Sequence, residues 1–292
     1  MKSILFGAAT LAFSAGAALA GPATIWGVNA AATGSGVSSN AYAERFTLDG
    51  TKVQQVLLGA GFSPGGIALV GSTAYVSSTT DNLIRSFNVN TGAAGPSITV
   101  TGQPQLGSLS VDATGFWAND YGGGNRAYHI TFGGIVDRSV VLSLCGSYCN
   151  GIEYFQRNGQ AYLLANRGEA EASATYDLYS TTGTLVTTAL LAKVSDGAGV
   201  VYDRDRDQFV VSDAFSNAVL TYSASGALLA TTTLGGTAPD SGFGAGTRFV
   251  VDLAFDVPEP ATAALLLSGF GLMGALRRRR GCPQPRLLRA SP

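Results

Sequence analysis

Few residues in this chain are equipped for chemistry. His129 is its only histidine, and no serine stands in a G-x-S-x-G turn, so a serine-hydrolase triad has neither a choice of base nor a nucleophile elbow. His129 itself lies in Tyr128-His-Ile-Thr, a strand-like run, and is expected to be an ordinary strand histidine. Three carboxylates, Glu153, Asp196 and Asp252, with Asn150 as a neutral neighbour, fall in or beside short apolar runs. Two such carboxylates across a cleft perform glycoside hydrolysis. Grouped with the amide, they supply the oxygen ligands that a hard cation such as Ca2+ takes. No other cofactor is suggested. Asp203-Arg-Asp-Arg-Asp207 has the density of a metal loop but not the Gly and distal Glu of an EF-hand, and reads as a solvated hairpin turn. Cys145 and Cys149 stand four apart, and the third cysteine, Cys282, lies near the end of the chain. A small-loop disulfide is the favoured reading; half a zinc site, without a second cysteine pair, is the alternative.

The elements that must position these groups recur. Gly66-Ile-Ala-Leu-Val, Thr73-Ala-Tyr-Val-Ser-Ser, Asn82-Leu-Ile-Arg-Ser-Phe-Asn-Val and Ser97-Ile-Thr-Val form four strand-like runs. The series restarts at Ser108, at Asn150 and at Ala198. Four short strands repeating about every forty residues point to β-propeller blades. Val250-Val-Asp-Leu-Ala-Phe-Asp supplies the first strand of a fifth unit. The N-terminal runs Thr24–Asn29, Tyr42–Leu48 and Val53–Leu58 supply its other three. The expected fold is therefore all-β: a propeller of about five four-stranded blades, closed by strands from both ends, which leaves no free seam to template aggregation. A β-sandwich or a solenoid is the competing architecture.

The texture of these blades resembles the NHL and lactonase-like propellers. Ser212-Asp213-Ala-Phe-Ser-Asn217 is the best match, with Asn119-Asp120…Asn125 and Ser78…Asp81-Asn82 as looser copies. Asp and Asn suit the tight loop between second and third strands because they accept backbone N–H groups and tolerate left-handed backbone. The resemblance implies a channel-bound metal with Glu, Asn and Asp ligands, but those ligands do not fall at clearly matching positions here, and such enzymes usually have six blades. Tyr121 and Phe215, beside Asn119 and Asn217, are expected to be loop aromatics able to stack on sugars.

Both termini carry addresses. Residues 1–20 have one charge, Lys2, then a small-apolar run ending Ala18-Leu19-Ala20, which predicts signal-peptidase cleavage between Ala20 and Gly21. The mature body is 21–256. After it, 257–280 reads Pro258-Glu259-Pro260, an uncharged stretch Ala261–Leu276, then Arg277, Arg278, Arg279 and Arg280. This order resembles the PEP-CTERM sorting signal. The resemblance implies a transmembrane helix over Ala261–Leu276, an exosortase that acts near the tripeptide, and a Gram-negative host that makes exopolysaccharide. The arginines favour a cytoplasmic side for residues 281–292, a short tail that departs from the family's usual ending.

The 292-residue chain has a net charge of −1, so nothing marks it for nucleic acid. The expectation is an exported, exosortase-sorted cell-surface or matrix propeller, more a binding or structural protein than an enzyme, whose partners are extracellular glycan or protein. The alternative is a metal-dependent lactonase-like hydrolase in the channel.

Overall fold

The computed structural model describes residues 24–30, 40–61, 63–102, 105–145, 149, 151–167, 174–194, 197–213, 216–235 and 249–255. The signal peptide with Ala20 and Gly21, the sorting signal, the tail, Asn150, Asp196 and Phe215 lie outside them.

Twenty strands form five antiparallel four-stranded sheets among the described residues. Blade 1 is β4 (Pro64–Val70), β5 (Thr73–Ser78), β6 (Leu83–Asn88) and β7 (Ile98–Thr99). Blade 2 is β8 (Leu106–Val111), β9 (Gly115–Asp120), β10 (Arg126–Thr131) and β11 (Val136–Val141). Blade 3 is β12 (Ile152–Arg157), β13 (Gln160–Asn166), β14 (Ala174–Ser180) and β15 (Leu185–Val194). Blade 4 is β16 (Gly197–Asp203), β17 (Gln208–Asp213), β18 (Ala218–Ser223) and β19 (Leu228–Thr233). Blade 5 runs β20 (Phe249–Phe255), β1 (Thr24–Ala30), β2 (Ala41–Thr47) and β3 (Lys52–Gly59). The expected closure is present, with Ile25 opposite Phe255 and Gly27 opposite Leu253.

Each seam between blades holds its own apolar cluster. Trp26, Ile67, Val76 and Phe87 fill the seam of blades 5 and 1; Ile84, Leu109, Phe116 and Ile130 fill the next. Trp117, Ile152, Leu163 and Tyr179 follow between blades 2 and 3. Phe155, Val200, Phe209 and Tyr222 lie between 3 and 4, and Ile25, Phe46, Val210 and Leu253 complete the ring. Second strands alternate poorly in sequence because both faces of a blade meet a neighbour. Burying each such side chain contributes about 1.5–3 kcal/mol.

The inner strands β4, β8, β12, β16 and β20 run parallel. Their contacts advance together: Gly65 and Gly66 face Leu106 and Leu109, Ser108 and Ser110 face Ile152 and Tyr154, and Gly151 and Glu153 face Ala198 and Tyr202. Their C-terminal ends therefore share one end of the axis. That end carries the short inner turns 71–72, 112–114, 158–159 and 204–207. Among the described residues, the turns between second and third strands (79–82 and 121–125) and the residues that lead into the inner strands (60–61, 100–102 and 142–145) belong to the other end.

At the perimeter, the turn between third and fourth strands carries a glycine in every blade, preceded by Thr or Ser three residues earlier in all but blade 1, where Val89 stands. Gly50, Gly92, Gly134, Gly183 and Gly226 all have positive φ, from 72° to 89°. Each turn seats on the outer strand of the preceding blade. Thr101 donates to the Gly134 carbonyl at 3.1 Å, and Gly235 to that of Gly50 at 2.8 Å. A Cβ on Gly226 would collide with the Leu190 carbonyl. Gly226→Ala should therefore lower the unfolding free energy by roughly 2–3 kcal/mol, from φ strain plus the collision. Gly61, at φ 83° with open space around it, should cost only about 1 kcal/mol as alanine. Urea midpoints of the two variants check the difference.

Two expectations are corrected here. The fourth strand of blade 1 shrinks to Ile98–Thr99; before it the chain meets β6 through the Phe87–Ala94 bridge and the Gly95 N–H to the Ser86 carbonyl, with Pro96, which has no N–H to give, between the two pairings. The Asp203–Asp207 turn is exposed only from Arg204 to Asp207. Asp203 itself is buried and accepts the N–H groups of Asp205 and Arg206 at 3.0 and 3.1 Å.

Candidate functional site

Two of the four channel candidates meet at the propeller axis. Asp252, in the middle of β20, is fully buried. Its Oδ2 accepts the N–H groups of Ile67 in blade 1 and Leu109 in blade 2, both at 2.9 Å. Its Oδ1 has no hydrogen-bond partner among the described residues. Glycines make the space: a Cβ on Gly199 would stand 2.6 Å from Oδ1, and one on Gly66 would strike the Ser108–Leu109 backbone. Burial pushes the Asp252 carboxyl up to about 7, against the downward pull of its two backbone donors.

Glu153 on β12 makes a second brace. One oxygen accepts the Ser110 hydroxyl of blade 2 at 2.7 Å and the other the Tyr202 N–H of blade 4 at 3.1 Å. Ser110 Oγ in turn accepts the Tyr154 N–H at 2.9 Å. The residue is half-buried as a whole, but its carboxyl is enclosed. That burial, with the nearby charge of Asp252, raises it to about 8, while the Ser110 and Tyr202 donors oppose the rise. Together the two carboxyls reach all five blades: Asp252 joins 5, 1 and 2, and Glu153 joins 3, 2 and 4. Chemically they are proton-holding groups near neutral pH whose oxygens already serve the inner strands. Among the described residues no group of three or more His, Cys, Asp or Glu side chains stands close enough to hold a metal ion.

His129 is buried in a network that sequence reading missed. Its Nδ1 lies 2.6 Å from Asp137 Oδ1, and its Nε2 3.2 Å from Thr114 Oγ1 and 3.3 Å from Asp112 Oδ1. Trp117 Nε1 donates to Asp112 Oδ2 at 3.0 Å. Burial pushes Asp112 up, but the Thr114, Trp117 and His129 donors outweigh it and hold its carboxyl below the ordinary value. The signal was present as Asp-x-Thr-x-x-Trp with a histidine one strand later. It becomes legible only when β9 and β10 are in register, with Trp117 opposite His129.

The loop-end residues divide. Tyr121 is 36% exposed, on the turn where Asp120 accepts the Gly122 N–H at 2.8 Å. Asn119 is not beside it at the surface. It is fully buried, with neither amide atom hydrogen-bonded among the described residues and Gly107 packed against it. Asp120, one position on, takes the loop-capping role; a one-residue step in a strand reverses the face. Asn217 keeps a left-handed backbone, φ 52°, and donates to the Leu234 carbonyl at 2.9 Å. Cys145 and Cys149 are joined as a disulfide with Cα atoms 5.7 Å apart, in the seam of blades 2 and 3. A cavity of about 180 Å³ opens between blades 3 and 4, lined by Phe155, Arg157, Tyr162, Leu190 and Phe209. The Arg157 guanidinium donates to Asp207 and to the Ala224 carbonyl.

Comparison with known proteins places this body beside its address. Residues 256–280 match the PEP-CTERM protein-sorting motif, so the chain is an exported, membrane-anchored substrate of exosortase processing with a five-bladed propeller body. No curated protein sequence matches the chain. A chain of the nidogen/laminin complex is similar in structure at 13% identity and a TM-score of 0.50, over 80% of this chain and 98% of that one. The glutaminyl cyclase of Myxococcus xanthus is similar over 59% of this chain and 76% of its own, at 16% identity and a TM-score of 0.44. These likenesses concern the fold alone.

Proposed function

We propose that this exosortase-sorted propeller is a non-enzymatic binding protein of the cell surface or extracellular matrix, which holds extracellular glycan or protein through its loop end. In this reading signal peptidase removes residues 1–20, the body folds outside the cytoplasm of a Gram-negative cell, and the segment 261–276 holds it in the inner membrane. Exosortase then acts near Pro258–Pro260. The observation that carries the reading is that the turns between second and third strands leave the body at one end of the axis, opposite the short inner turns, with Tyr121 exposed there. An aromatic face beside an acidic turn suits the apolar face of a sugar ring. The test uses the host's purified exopolysaccharide as probe, titrated calorimetrically against the mature body. Tyr121→Ala, alone and with Phe215→Ala, is expected to weaken binding at least tenfold, about 1.4 kcal/mol, while Asn158→Ala at the opposite end leaves it unchanged. Binding indifferent to both aromatics would remove this surface from consideration.

A hydrolase in the channel draws on one observation, the two raised carboxyls at the axis, since perturbed pKa values gather at active sites. Three of their four oxygens are engaged by protein donors, which favours bracing over ligation. Tight calcium or zinc binding that disappears in Glu153→Gln would reverse that preference.

A further inference from the structure

The position of the last strand decides how the propeller meets the membrane. β20 is an inner strand, and its final residue, Phe255, lies at the turn end of the axis with the ends of β4, β8, β12 and β16. The sorting motif begins at the next residue, 256. Pro258 follows Phe255 by three positions, and the apolar stretch begins at Ala261. Six residue steps span at most about 20 Å fully extended. That is little more than the length of one inner strand, roughly 20 Å. β1 also starts at this end, with Ile25 opposite Phe255, so the chain both enters and leaves the body here.

We propose that the uncleaved protein stands axis-on to the bilayer, with its turn end apposed to lipid headgroups and to the membrane-embedded processing enzyme, and its loop end facing outward. The inference rests on the reading that 261–276 enters the membrane. The turn end, with the exposed Asn158 and the Arg204–Asp207 turn, is then the surface that exosortase approaches. The loop end is the surface presented to extracellular polymers before and after processing. A tether leaving from a loop or an outer strand would let the body lie on its side; one leaving from the axis holds both ends at fixed heights. Cleavage within Pro258–Pro260 also leaves β20 whole, so release does not open blade 5.

The test uses the full chain with Cys282→Ser, reconstituted in phosphatidylcholine–phosphatidylglycerol vesicles. Single cysteines carrying a donor dye are placed at Asn158 or Asp205 on the turn end, and at Thr80 or Tyr121 on the loop end. Energy transfer to acceptor-labelled headgroups should be at least several-fold more efficient from Asn158 and Asp205. A ten-residue Gly/Ser insertion after Asp256 should abolish most of that contrast. Equal transfer from both ends without the insertion, or stronger transfer from Thr80 and Tyr121, would overturn the orientation. Vesicle flotation separates the two readings: protein that fails to float contradicts membrane anchoring and the orientation with it, whereas protein that floats with equal transfer contradicts the orientation alone.

Discussion

Asp252→Asn should match the parent's stability below about pH 4 and become progressively more stable than the parent as pH rises to 9, whereas Asp252→Ala should destabilise the propeller at low pH, where the parent carboxyl is protonated. The Asp252 carboxyl titrates at about 7 in the folded body against 3.8 for the unperturbed group, and Glu153 at about 8 against 4.5. Over those windows the folded state holds protons that the unfolded chain has released. Stability is thus full below about pH 4, declines as pH rises through neutrality, and has lost these contributions past about pH 8, on the order of 4 kcal/mol per carboxyl. Asparagine copies the protonated acid. Its carbonyl oxygen accepts the Ile67 and Leu109 N–H groups, and its NH2 occupies the Oδ1 position, without a charge to desolvate. Alanine orphans both buried donors, at about 1–3 kcal/mol each. Denaturant midpoints from about pH 3.5 to 9 check this. A parent curve flat across that range, or an equal fall in Asp252→Asn, would mean the axis carboxyls do not couple to folding.

A chain ending at Val257 should unfold at the same denaturant concentration as the full-length protein, while one ending at Arg248 should not fold. The first retains all of β20. The second loses the inner strand of blade 5 and with it Val250, Asp252, Leu253 and Ala254, each under 7% exposed. It also strips the pairing along β1 and uncovers Ile25 and Trp26 on either side of the missing strand. Those losses exceed the roughly 5–15 kcal/mol that stabilises a domain of this kind. Cooperative thermal unfolding of the shorter chain would show that closure by the C-terminal strand is dispensable.

Much of this was legible because a propeller writes its fold as a repeat. Gly66, Ser108, Asn150, Ala198 and Val250 open or fall within corresponding runs about forty-odd residues apart, so blade boundaries follow from spacing. The axis was less legible. Sequence places Glu153 and Asp252 on inner strands, but their role depends on which backbone donors neighbouring blades bring within 3 Å, and no local pattern encodes that. Asn119 was misplaced for a related reason: Asn119 and Asp120 are chemically alike, and only the pleat decides which faces Gly107 and which caps the turn. The His129 network joins three strands and one turn, and was invisible while each strand was read separately.

The most direct test of the account is the intact mass of the protein recovered from its host, cell envelope against culture medium. The account predicts a species that begins at Gly21 and ends within or beside Pro258–Pro260, with β20 retained. A mature protein that keeps Ala261–Pro292 in every fraction would contradict it.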